Sequence, residues 1–426
     1  MNSGGTAVWC RRVAVAMAAL LGVCAFGSPA TLRSAEAAPE VRALWVLRTS
    51  LTTPASIHAL VKTAREHGFN TILVQVRGRG EAYYASDLEP RAAELVRQPA
   101  TFDPLAMVVA EAHQAGLRVH AWINLNFVSS AAELPLSRDH LIYRHPDWVM
   151  VPREIAQELR KLDPSSPAYV GKIARWTRGQ QEKIEGLYAS PLQPEASAHA
   201  QAVVTEVAKR YFVDGIHLDY ARYPNDQFDY SRFAIAEFRS EIRAGLAPAV
   251  RRALDEQEAA DLFAYPDRFP AEWKNFRRAR LSALLTRLRA AVKAARPNAM
   301  LTVSAVPDAQ EAFDQRLQDW RTWLERHVID AICPMAYTQE PGRFAEQIAA
   351  VRDIAGGAAV WAGIGAYRLK PEQTVENIQA TRRLGTAGFV LFSYDSLTAA
   401  KPTSPDYLDV VSLGAFALRA HESGSR

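Results

Sequence analysis

The chain has 426 residues, 49% hydrophobic and 23% charged, enough apolar material for a full globular core. Its formal net charge is +4, and removing residues 1–37 takes away three basic side chains and one acidic, leaving 47 against 45. With no long basic cluster interleaved with aromatics, that balance argues against nucleic-acid binding and against charge-driven binding to a membrane surface.

Residues 1–37 read as an export signal. Arg11 and Arg12 precede an apolar run, Val13 to Phe26, of signal-peptide length and too short to span a bilayer. Small residues follow, so cleavage after Ala30 or Ala37 is expected. A lipid anchor on Cys24 is the weaker alternative, because Val23 sits where a small residue is needed. The remaining cysteine, Cys333, lies in an apolar run and reads as core. The mature chain is therefore expected to be exported, periplasmic or extracellular, with no stable membrane insertion. Residues 38–420 are expected to form one domain, and 421–426 a disordered tail.

Eight short apolar segments alternate with helical patterns. The first, Val41–Thr49, is followed by a helix from about Pro54 to His67 with Gly68 as its stop signal. Thr71–Arg77 is the second and Arg118–Phe127 the third, with a helix from about Asp103 to Ala115 between them. A long interval rich in proline, tryptophan and charge, about Val128–Ala198, comes next; such lengths are usually functional or carry small elements of their own. A helix near His199–Tyr211 leads into the fourth segment, Gly215–Tyr223. A mostly helical region, about Ser231–Arg296, separates it from the fifth, Leu301–Asp308. Asp330–Tyr337, Val360–Tyr367 and Gly388–Asp395 complete the set, each preceded by a helix.

Eightfold strand–helix alternation predicts an α/β fold, a closed (β/α)8 TIM barrel with long insertions after strands three and four. An open doubly wound sheet is the alternative. Its dinucleotide fingerprint is absent, since Gly78 and Gly80 are followed by no third glycine at the required position.

Period-two alternation assigns the inward faces. In the fourth strand His217 and Asp219 oppose Ile216 and Leu218, and Asp219 falls at the C-terminal end, where barrel enzymes hold their catalytic groups. Gln75 and Arg77 share a face in the second strand, His120, Trp122 and Asn124 in the third. Thr302, Ser304, Val306 and Asp308 share one in the fifth; Cys333, Met335 and Tyr337 in the sixth; Phe389, Leu391, Ser393 and Asp395 in the eighth. Groups converging from several strands on one mouth point to one pocket.

The chemistry implied is sugar recognition. Trp45, Trp122, Tyr223, Tyr337, Trp361 and Tyr367 offer aromatic faces, although core packing explains any one of them equally well. Gln75, Arg77, His120, Asn124 and Arg222 are placed to bond hydroxyls, with His217, Asp308 and Asp395 at the same mouth. Glycoside cleavage needs two carboxyl groups. Asp219 is the first choice and Glu81, just beyond strand two, its expected partner, with Asp308, Glu340 and Asp395 as rivals. A strand-end aspartate tied to Arg222 or Arg77, and a solvated loop carboxylate at Glu81, are the structural alternatives. Nothing asks for a metal or a cofactor: His-x-His, His-Glu-x-x-His, a Gly-x-Ser-x-Gly elbow and a P-loop are all missing.

In order along the chain, several blocks carry a family resemblance. They are Val41-Arg42-Ala43-Leu44-Trp45-Val46, Gly68-Phe69-Asn70-Thr71 with Gln75-Val76-Arg77, and His120-Ala121-Trp122-Ile123-Asn124. His145-Pro146-Asp147-Trp148-Val149, Val213-Asp214-Gly215-Ile216 through Tyr223-Pro224, and Asp330-Ala331-Ile332 with Pro334 and Tyr337 follow. Together they resemble the glycosyl-hydrolase-like family 10, exported bacterial barrel proteins. The resemblance implies a barrel acting on bacterial cell-wall glycan. Many members carry two adjacent acids in the fourth block; here Tyr220 follows Asp219, so only the first carries over. The strand-four motif of family 18 chitinases is also similar, but its acid/base glutamate position is Ala221, which cannot donate a proton.

The expectation is an exported glycoside hydrolase cleaving a polysaccharide, peptidoglycan glycan strands first among them, with Asp219 as its essential carboxylate. A catalytically inactive glycan-binding barrel is the alternative.

Overall fold

Ten strands appear along the chain of the computed structural model, which describes residues 39–399 and 404–416. They are β1 (Val41–Val46), β2 (Thr71–Arg77), β3 (Arg118–Asn124), β4 (Phe127–Ser130), β5 (Gly186–Tyr188), β6 (Gly215–Asp219), β7 (Met300–Ala305), β8 (Ala331–Ala336), β9 (Ala359–Ile364) and β10 (Gly388–Phe392). Eight of them close into a barrel in the order β1-β10-β9-β8-β7-β6-β3-β2, all neighbours parallel. The fold is thus the (β/α)8 barrel its alternation predicts. The expected export signal over 1–37 and the expected tail over 421–426 lie outside the described residues.

Local chemistry starts and stops the helices between strands. The helix Pro54–Glu66 opens on a Thr53 capping box with Ser56 and has Pro at its first position, where a missing N–H costs nothing. It ends before Gly68, whose φ of +76° suits a residue without Cβ. The outward residues Ile72, Val74 and Val76, Val119, Ala121 and Ile123, and Ile216 and Leu218 all bury against this helical layer. Each fully buried aliphatic side chain contributes about 1.5–3 kcal/mol.

Inside the barrel a second set, including Ala43, Trp45, Leu73, Trp122, Cys333, Trp361 and Val390, forms its own core. Gly363 on β9 leaves the space that the Trp45 indole fills: a Cβ there would stand 2.9 Å from the ring.

Strand eight departs from its expected phase. Phe389 and Leu391 pack outward, while Val390 and Phe392 face the barrel. Ser393 and Asp395 follow the end of β10, and Ser393 caps the short helix Tyr394–Leu397. A polar residue just past a ladder is there to satisfy helix N–H groups, so counting it as the strand's inward face shifts the register by one. Asp308 shows the same effect. β7 ends at Ala305, and the Asp308 carboxylate accepts from Gln310 N at 2.9 Å and Glu311 N at 2.8 Å to cap Ala309–Asp314.

The insertions after β3 and β6 fold together. Leu141, Ile155, Leu159, Tyr169 and Ile173 of the first share a hydrophobic cluster with Tyr230, Phe238, Leu254, Trp273 and Phe276 of the second. Arg153 clamps Asp267 with two bonds of 2.7 Å, and the buried Asp229 accepts from Val151 N at 2.7 Å. The antiparallel pair β4–β5 carries the first insertion back to the barrel mouth. No described helix is long and apolar enough to cross a membrane.

Candidate active site

β6 delivers Asp219 to the barrel's C-terminal mouth, where the register sets it opposite Asn124. The next residue, Tyr220, turns the chain sharply with a φ of 51°, a left-handed conformation that costs a non-glycine residue on the order of 1 kcal/mol. The turn is held by contacts. Phe127 stacks on the Tyr220 ring at 4.7 Å, and the Arg222 guanidinium lies over the same ring, 4.7 Å from its centre.

Asp219 is 9% exposed and lines a cleft of about 370 Å³. Its Oδ1 accepts from the Ser304 hydroxyl and from Tyr220 N at 2.7 Å. Its Oδ2 bonds no protein group among the described residues. Burial raises the carboxyl above its ordinary value, against the opposing pull of Ser304 and of the Arg222 charge.

A second carboxyl faces the same cleft, and it is not Glu81. Glu185, the residue before β5, accepts from Arg222 Nη2 at 3.0 Å through Oε1 and from the Tyr188 hydroxyl at 2.8 Å through Oε2. Burial opposes its charge, but the Arg222 guanidinium and the two hydrogen bonds hold the carboxyl below the usual range. Asp219 is pushed toward its neutral acid and Glu185 toward its carboxylate, the separation of roles that acid–base chemistry with two carboxyls requires. Arg222 is 8% exposed, and its Nε and Nη1 are buried without acceptors.

Aromatic rings form the floor and one wall. Trp45 Nε1 donates to His217 Nε2 at 3.1 Å. An indole can only donate, so His217 carries its proton on Nδ1 and gives it to Thr302 Oγ1 at 2.9 Å. Burial keeps that imidazole neutral. Tyr337 stacks on Phe392 at 5.6 Å, and Trp45 meets both edge-on. On the opposite side Trp122 Nε1 donates to Asn124 Oδ1 at 2.8 Å, Asn124 Nδ2 donates to the Gly78 carbonyl at 2.8 Å, and Arg48 Nη1 donates to Gln75 Oε1 at 3.0 Å.

Of the side chains singled out in the sequence, the structure brings Trp45, Gln75, Trp122, Asn124, Asp219, Arg222 and Tyr337 to this cleft, with Ser304 and Met335 from the inward faces of their strands. Glu81 lines an adjoining cavity of about 240 Å³ with Glu94 and Glu133, separated from Asp219 by Arg79, which borders both. Burial, then the nearby Glu94, pushes Glu81 up to about 7. Arg77 is buried in an ion pair with Glu89 at 2.7 Å, its Nη1 spent on the Asn124 carbonyl. His120 and Trp361 pack on each other at 5.2 Å inside the barrel, and His217 sits beneath Trp45. Tyr223 is fully buried, its hydroxyl on the Arg277 carbonyl at 3.2 Å. Tyr367 is 41% exposed and buttresses Tyr337 and Phe392 from outside the cleft. Asp308 is a helix cap, and Asp395 accepts from Leu47 N at 2.6 Å and from the Ser50 hydroxyl at 2.6 Å, pinning the loop after β1.

Glu185 and Phe392 escape sequence reasoning. Glu185 stands in a charged stretch inside the long insertion with no periodicity to mark it, and Phe392 was on the wrong side of the misphased strand. Phase taken from the apolar Val390 would have found Phe392. Among the described residues no three His, Cys, Asp or Glu side chains converge so as to hold a metal ion.

A family model described as glycosyl hydrolase-like 10 matches residues 40–367. The chain is 25% identical over 339 residues to the glycosyl hydrolase YngK of Bacillus subtilis, covering 72% of this chain and 56% of that protein. It is 25% identical over 289 residues to the glycosyl hydrolase DigH of Escherichia coli, covering 63% and 55%. The chain therefore spans about half the length of these curated relatives. In fold it resembles the PgaB (BpsB) glycoside hydrolase domain from Bordetella bronchiseptica, with a TM-score of 0.61 and 17% identity over 88% of this chain and 99% of that one. The α-L-fucosidase isoenzyme 2 from Paenibacillus thiaminolyticus superposes with a TM-score of 0.58 and 15% identity, over 90% and 50%.

Proposed function

We infer that this chain, which belongs to the glycosyl hydrolase-like 10 family, is an exported hydrolase that cleaves glycosidic bonds of a polysaccharide in the cleft around Asp219. The observation that carries the reading is the pairing of Asp219 with Glu185 in one aromatic-walled cleft, the first pushed toward its neutral acid by burial and the second drawn toward its carboxylate by Arg222. Asp219 donates its proton to the leaving glycosidic oxygen as that bond breaks. Glu185 serves the other face of the sugar, as nucleophile at the anomeric carbon or as base toward the attacking water. Trp45, Trp122 and Tyr337 offer ring faces to the sugar, and Gln75 and Asn124 bond its hydroxyls.

Peptidoglycan glycan strands are the proposed substrate. The resemblance to cell-wall-acting barrels and the arginine-led apolar run at Val13–Phe26 support it. Incubation of the mature protein with glycan strands stripped of their peptides is expected to release new reducing ends. Asp219→Asn should lower that release at least about 10²-fold. Release undiminished in Asp219→Asn would overturn the catalytic assignment.

One observation favours a second reading, a glycan-binding barrel without turnover. Both Glu185 oxygens are already engaged, by Arg222 and by Tyr188. That reading expects the same glycan strands to bind with no reducing ends formed.

A further inference from the structure

A second cavity, of about 410 Å³, opens where the two insertions meet. Trp176, Phe228 and Phe263 supply its aromatic surface, with Trp176 set against Phe228 at 6.0 Å, and Gln180, Lys183 and Asn225 supply its polar groups. Two features make it unlike a packing defect. The Trp176 Nε1–H is buried with no acceptor, a cost a folded chain normally avoids unless something else fills the place. The side-chain amides of Gln180 and Asn225 also leave donors that bond no protein group among the described residues.

The two cavities are lined by neighbouring stretches of chain. Ile184 lines the second cavity and its neighbour Glu185 lines the cleft; Asn225 lines the second cavity and Arg222, three residues earlier, lines the cleft. Three residues of chain span at most about 11 Å, so one extended ligand reaches both. Ring faces beside the amides of Gln180, Asn225 and Gln227 and one unmatched N–H suit a hydroxyl-rich ligand, and Arg153, Lys183 and Glu154 on the same lining leave room for an acidic substituent on it.

We propose that this cavity is a distal subsite for the polysaccharide, holding sugar units beyond those in the catalytic cleft, with Trp176 giving a ring face and an N–H to a sugar oxygen. The proposal rests on the polysaccharide reading of the cleft and adds where a long chain is gripped.

Binding can be read apart from cleavage by affinity electrophoresis through gels containing peptide-free glycan strands, with every variant made in the Asp219→Asn protein. The strands are expected to retard Asp219→Asn itself. Adding Trp176→Phe, which keeps a ring but removes the N–H, should weaken binding by about 3–10-fold, and Trp176→Ala should weaken it further. Gln180→Ala, at the residue that caps the C-terminus of the helix carrying Trp176, should weaken it too and covers the case in which Trp176→Ala does not fold. Equal retardation of the parent, Trp176→Phe and Gln180→Ala overturns the subsite, as does a parent that the strands do not retard. Failure of the hydrolytic reading shows separately, as no reducing-end release by the protein with Asp219 intact, whatever the gels show.

Discussion

Arg222 Nη2 donates to Glu185 Oε1 at 3.0 Å, joining the turn after β6 to the residue that leads into β5. The same guanidinium pulls Asp219 down as well as Glu185, so one cation acts on both cleft carboxyls, against burial in each. Arg222→Met is therefore expected to raise both, moving the acidic and the basic limbs of the pH–activity profile to higher pH together. The check is kcat/KM for reducing-end release measured across pH 4 to 9. Limbs that stay in place while activity falls would mean that Arg222 serves only as a packing group.

Asp219 is held above its ordinary value by burial, and the sign of its effect on stability follows. The folded state binds this proton more tightly than the unfolded chain does. The carboxyl therefore lowers stability as pH rises from its unfolded value through its raised folded value, and the loss is complete above that. Asp219→Asn should remove the loss, leaving a protein that is inactive yet melts a few degrees higher at pH 7, by roughly 1–3 °C. At pH 3.5 the two should melt together. Calorimetry at the two pH values decides it, and a variant that melts lower at pH 7 contradicts the idea.

Glu81, 8% exposed and pushed up to about 7, behaves the same way in its own cavity. A rise from 4.5 to about 7 corresponds to roughly 3 kcal/mol of stability lost between those pH values. Glu81→Gln should flatten the pH dependence of urea unfolding between pH 4.5 and 7. In the reducing-end assay Glu185→Gln should lose much more activity than Glu81→Gln, because only Glu185 faces the cleft that holds Asp219. The reverse order would return Glu81 to the catalytic pair.

The barrel was legible because its signal is local. A period of two along eight short segments tells which side chains face helices and which face the axis, whatever the rest of the chain does. Gln75, Trp122, Asn124 and Asp219 reach the cleft because each sits at or near the C-terminal end of its strand on the inward face. The reading failed where the ladder stopped. Asp308 and Asp395 sit past their strand ends, where one caps a helix and the other fastens a loop, and neither task leaves a mark distinct from that of a binding residue.

Sequence alone thus determined the closed parallel sheet, its inward faces on most strands and the place of Asp219, since alternation and strand order are properties of neighbouring residues. Only tertiary structure decided which carboxyl stands with it. Glu185 and Arg222 are joined because an insertion of irregular loops and short helices folds back over the mouth, and no local pattern encodes the end point of such a path.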